Sequence, residues 1–160
     1  MRISVHAVGR MKVGPERELA ARYFERFAKT GPSVGLEWAG LTEIPESRAD
    51  SADLRKREEA ERLAAALAQG SVLILLDERG EHLSSEAFSD RLAHLRDSGH
   101  RQVVFALGGA DGHPSDLPTR AMHSLAFGRM TWPHQLARIM LAEQLYRAST
   151  ILSGHPYHRA

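Results

Sequence analysis

The chain has 160 residues, 42% hydrophobic and 26% charged, with 13 Gly, 7 Pro and no Cys. This fits one globular domain spanning residues 1–160 that buries its own core; it excludes repeat arrays, disulfide frameworks, zinc–thiolate sites and thiol nucleophiles. Lys+Arg 21 against Asp+Glu 20 gives a net charge of +1, so there is no bulk basicity.

Ile3 to Val8 alternates with period two and stops at Gly9, a strand signature. From Pro15 to Ala28, Leu19, Tyr23 and Phe27 recur at helical spacing, bracketed by Pro15 and by Gly31-Pro32. Leu36 to Leu41 reads as a weaker strand. Ser47 to Gln69 is charged and alanine-rich, with Leu54, Leu63 and Leu67 along one side of a helix that Gly70 ends. Val72 to Leu76 is continuously apolar, as in a central parallel strand, and Asp77-Glu78-Arg79-Gly80 is its expected exit turn. Ser84 or Ser85 caps a helix carrying Phe88, Leu92 and Leu95. Gln102 to Leu107 is a second buried strand. A short helix around Leu117 to Met122, a strand from Ser124 to Phe127 and a long helix from about His134 to Leu152 complete the order.

Alternating β and α elements imply an α/β fold, a parallel sheet flanked by helices. Ligands in such sheets bind beyond the carboxyl ends of the strands, which selects the loops after Leu76, Leu107 and Phe127. The apolar runs are far too short to span a bilayer, and Met1 to Val5 lacks a signal-peptide core, so a cytoplasmic protein is expected.

Four constellations stand out. Gly108-Gly109-Ala110-Asp111-Gly112 is neither a dinucleotide fingerprint nor a Walker loop; it reads as a tight turn or a ligand loop. Gly128 to Gln135 offers Met130 and Trp132 as apolar surface for a flat base, or as a cover for the core; His134 and Gln135 are candidate helix caps. Glu143 and Arg147, at i and i+4, read as a solvated pair. The tail His155-Pro156-Tyr157-His158-Arg159 holds groups that stack on a base, hold phosphate or move a proton, with too little apolar area to support the core. Acidic or cysteine partners at ligand spacing are missing from it, so no metal is expected.

Taken together with Val8-Gly9-Arg10-Met11-Lys12 and Glu143-Gln144-Leu145-Tyr146-Arg147-Ala148, these blocks match one family in order along the whole chain. The sequence resembles the RlmH family of ribosomal large-subunit RNA methyltransferases, in the SPOUT superfamily. The resemblance implies a SPOUT methyltransferase fold with a C-terminal trefoil knot, and a homodimer. It also implies methyl transfer from S-adenosyl-L-methionine to N3 of a pseudouridine in 23S rRNA within the ribosome. The family's cofactor-binding positions fall on Leu76, Gly108, Phe127, Gly128, Arg129, Met130, Thr131 and Trp132. Ala110 and Trp132 depart from the residues usual at their positions.

The reaction needs in-line placement of N3 and removal of an imide proton. Tyr157 or His158 is the candidate proton acceptor or orienting group, and Arg159 or Arg129 the partner of developing negative charge. A methyltransferase acting on transfer RNA and a ribosome-associated binding module without catalysis are the rival readings.

Overall fold

The computed structural model describes residues 1–117 and 121–158. Its strands are β1 (Arg2–Val8), β2 (Glu37–Ile44), β3 (Val72–His82), β4 (Gln102–Leu107) and β5 (His123–Ala126). They pair in parallel in the order β2-β1-β4-β3-β5. The helices are α1 (Pro15–Thr30), α2 (Ala52–Ala66), α3 (Ser85–Asp97) and α4 (His134–Leu152), with a 3₁₀ turn at Gly31–Val34. None of them is long and apolar enough to cross a membrane.

The period-two alternation in the strands sorts side chains to two faces. Ile3, Val5 and Ala7 of β1, with Val103 and Phe105 of β4 and Ile74 of β3, pack under α1, α3 and α4. Val8, Leu73, Leu75 and Ala106 point the other way and meet Leu63 of α2 and Leu117. Helix starts follow local chemistry: Ser51 Oγ accepts the Leu54 N–H, and Ser84 Oγ the Ala87 N–H, each at 3.2 Å. α4 departs from expectation, because Pro133 occupies its N-cap and neither His134 nor Gln135 caps it.

The exit turn expected at Asp77 lies inside the bounds of β3. Leu76 and Glu81 both pair with Leu125, so residues 77–80 loop out of the ladder and the strand resumes beyond them. Gly80 is required there, since a Cβ would stand 2.5 Å from the Leu125 backbone. Of the short helix expected from Leu117 to Met122, residues 118–120 lie outside the described residues, and Ala121 and Met122 are not helical.

α4 follows β5, at one edge of the sheet, yet its N-terminal part reaches the exits of β1 and β2. Arg138 makes that connection. It is fully buried, its guanidinium donates to Glu43 Oε1 at 2.7 Å, to the Gly9 carbonyl at 3.0 Å and to the Val8 carbonyl at 3.4 Å. Glu43 Oε1 also accepts the Met11 N–H at 2.8 Å. Arg138→Met removes these charge-assisted hydrogen bonds and leaves Glu43, whose side chain is 27% exposed, without its partner, so it is expected to cost about 1.5–3 kcal/mol in urea unfolding.

Candidate functional site

The exits of β3, β4 and β5 converge on one cavity of about 920 Å³. Residues 76–79, 107–116, 125–128 and 130–134 form its walls, with Asp53, Lys56 and Arg57 of α2 on one side. These are the three loops that the parallel-sheet rule selected.

The glycine loop at 108–112 turns back on itself. Gly112 donates its N–H to the Gly109 carbonyl at 3.0 Å and adopts φ +77°, which favours glycine. At Gly108 the constraint is contact: a Cβ would sit 2.8 Å from the Gly112 carbonyl carbon. The loop is fastened to α2 by Arg55, whose Nε and Nη2 donate to the two oxygens of Asp111 at 2.7 and 3.2 Å. Across the cavity, Asp77 accepts from Arg79 Nε and Nη2 at 2.9 and 2.8 Å, and these bonds hold its carboxyl below the usual range. Carboxylates outnumber cations on the walls: Asp53, Asp77, Glu78, Asp111 and Asp116 against Lys56, Arg57 and Arg79. Trp132 is 40% exposed and Met130 72%, so neither covers the core. The Trp132 indole N–H donates to the Phe127 carbonyl at 3.2 Å, turning the ring along the rim.

Of the positions expected to hold the cofactor, Leu76, Gly108, Phe127, Gly128, Met130, Thr131 and Trp132 line this cavity; Arg129 is exposed beside it. The tail lies elsewhere in the chain. Tyr157 packs on Tyr146 with ring centroids 4.6 Å apart, and its hydroxyl donates to Glu143 Oε1 at 3.0 Å. The Arg147 guanidinium stands 4.9 Å from the Tyr157 ring centroid and donates to Glu143 at 2.5 and 3.0 Å. His158 Nε2 is 2.7 Å from Glu86 Oε1, and its Nδ1 is 3.4 Å from Arg147 Nη1. Glu143 and Arg147 are therefore the anchor of the tail, not a solvated pair. The tail carries more stability than its small apolar area suggests, because Tyr157 extends the core cluster. Burial first, then hydrogen bonding with Tyr23 and Glu143, raises the Tyr157 phenol pKa, so at neutral pH it keeps its proton. Arg159 lies outside the described residues.

His113, just past the glycine loop, was not singled out by its sequence. It is 7% exposed, lines the cavity, and its Nε2 lies 3.3 Å from the Ala106 carbonyl. The only local hint is its place between a glycine and a proline after a buried strand.

A family model described as "Predicted SPOUT methyltransferase" matches residues 1–158, and the chain belongs to that family. Among curated relatives it is 64% identical over 160 residues to "Ribosomal RNA large subunit methyltransferase H" of Brucella anthropi, covering 100% of both chains. The protein of the same name from Mesorhizobium japonicum is also 64% identical over 160 residues, with 100% of each covered. That of Sinorhizobium medicae is 63% identical over 160 residues, again with 100% of each covered.

Two stability measurements follow from this geometry. Gly108→Ala forces a methyl against the Gly112 backbone and is expected to cost about 1–3 kcal/mol, the range for overpacking, in urea unfolding. His113 is held below the ordinary imidazole value of 6.5, first by burial. As pH falls through 6.5 the unfolded chain takes up this proton before the folded one does. Stability present above that value is thus lost on acidification. The denaturation midpoint should be lower at about pH 5.5 than at about pH 7.5, and His113→Gln should narrow the difference. His6 and His123, also lowered by burial, act in the same direction, and Glu59, raised by burial, acts against them.

Proposed function

We propose that this protein transfers a methyl group from S-adenosylmethionine to N3 of a pseudouridine in 23S rRNA, acting on the assembled ribosome in the cytoplasm. The observation that carries the reading is the cavity at the exits of β3, β4 and β5, in a chain whose full-length relatives are named large-subunit rRNA methyltransferases. Its walls fit the cofactor. The carboxylates of Asp53 and Glu78 suit a cationic sulfonium and ammonium. Trp132 and Met130 offer apolar surface to an adenine, and the glycine loop brings backbone close to a ligand.

Leu76, Gly108 and residues 127–132 would hold the cofactor, which supplies an electrophilic methyl carbon on a sulfonium leaving group when bound. The protein then has to place N3 in line with that carbon and manage one proton. Tyr157 retains its own proton and serves as a stacking and orienting ring. His158 is the proton acceptor, its Nε2 now 2.7 Å from Glu86 Oε1. Arg129, without a hydrogen-bond or ion-pair partner among the described residues, faces developing negative charge or phosphate together with Arg159.

Within one chain Tyr157 and His158 lie off the cavity walls, so the reading calls for a homodimer in which the tail of one protomer serves its partner. A second cavity of about 560 Å³, bordered by Leu19 and Tyr23 of α1 and Ile139 and Met140 of α4, supports an interface there. The family's trefoil knot belongs to the same reading; the passage of α4 from the β5 edge to the exits of β1 and β2 supports it.

The test is methyl transfer to intact ribosomes, naked rRNA and transfer RNA from a strain lacking the modification. Ribosomes should become methylated at pseudouridine N3, read by nucleoside mass spectrometry; methylation of transfer RNA alone overturns the substrate. Tyr157→Ala should lose about 1–3 kcal/mol of transition-state stabilisation on ribosomes, the range for base–aromatic stacking, with cofactor affinity retained.

A further inference from the structure

α2 is a charged helix with little reason, from apolar packing alone, to sit where it does. Its only buried residues are Leu63 and Glu59. Glu59 is 6% exposed, and its Oε1 accepts the Ser47 backbone N–H at 2.9 Å. Its Oε2 lies 3.2 Å from the point that a Cβ on Gly109 would occupy, so the carboxyl packs directly against the glycine loop. Glu59 does not line the large cavity; Gly109 does. Beneath the loop, Glu59 borders a void of about 10 Å³, at the lower limit for one water molecule. His6 and His113 border the same void, and the buried His6 Nδ1 has no hydrogen-bond partner.

A carboxyl buried at this depth is costly unless its contacts require it. Burial raises the Glu59 pKa, and the Asp111 and Glu46 carboxylates push the same way, against the Ser47 N–H and Arg62. One turn earlier on the same helix, Arg55 grips Asp111 at the far end of the loop. The loop is thus held at both ends by one face of α2, by an ion pair outside and by Glu59 beneath.

We propose that Glu59 is a positioning residue for the methyl-donor site, holding Gly109 and the 108–112 loop in their cavity-lining shape without touching the donor. This rests on the reading of the cavity as the donor site. Glu59→Ala empties the space under Gly109. Glu59→Asp withdraws the carboxyl by one methylene. Glu59→Gln keeps the length, the volume and an oxygen for the Ser47 N–H.

The experiment uses the full chain and two readouts: S-adenosylmethionine affinity by calorimetry, and amide hydrogen exchange of residues 108–112 without any ligand. Glu59→Ala and Glu59→Asp should weaken donor binding about tenfold or more, the scale set by small misplacements of a positioned site, and speed exchange in the loop. Glu59→Gln should restore both, and kcat on ribosomes at saturating donor should change less than KM for the donor. Wild-type exchange and affinity in Glu59→Ala or Glu59→Asp overturn the proposal, as does a Glu59→Gln variant as impaired as Glu59→Ala. If the wild-type protein binds no S-adenosylmethionine, the cavity assignment fails, while the exchange measurement still decides whether Glu59 holds the loop.

Discussion

A single buried guanidinium joins three separated parts of the chain. Arg138, in the second turn of α4, is bonded to Glu43 at the end of β2 and to the carbonyls of Val8 and Gly9 at the end of β1. A buried charge finds its minimum only where acceptors surround it. Glu43 supplies the counter-charge while also accepting the Met11 N–H, so the β1 exit, the β2 exit and α4 have one mutually compatible arrangement. The loop from β5 into α4 is drawn across the sheet end as a consequence, and Trp132 and Met130 are left on the cavity rim.

With that end tied down, the cavity is shaped largely by backbone. Gly108 and Gly80 are needed because other main-chain segments approach too closely for a Cβ, and Gly112 because its φ is positive. Two arginines help to shape the site: Arg55 with Asp111, and Arg79 with Asp77. Asp53 and Glu78 remain on the walls with Lys56 and Arg57, so both signs of charge are offered to a ligand.

The tail shows how one acidic group organises several others. Glu143 accepts from Arg147, Tyr157 and Gln144, and Arg147 in turn covers the Tyr157 ring and approaches His158. An aromatic ring and an imidazole that would fray near a chain end are thereby given defined places against α4. With its hydroxyl donating to a carboxylate and its ring on Tyr146, Tyr157 is a poor base and a well-oriented surface.

Much of this was readable from the residues alone, because it rests on local physics. The period-two run of β1, the apolar runs of β3 and β4, and the 3.6-residue pattern of α1 each report an element through its own sequence. Parallel pairing follows from their alternation with helices, and the position of the site follows from parallel pairing. Family membership was equally legible, carried by ordered blocks spread along the chain. Other features were not legible. Arg138, Glu59 and the Glu143–Arg147 pair are charged side chains on helices, which a sequence pattern reports as solvated. Whether such a side chain is wet or buried depends on what another segment brings against it: β1 and β2 for Arg138, the glycine loop for Glu59, the tail for Glu143. Periodicity is a property of neighbours in the chain and was determined by the sequence. The burial and pairing of these charges depend on contacts as distant as 130 residues, and only the tertiary structure decided them.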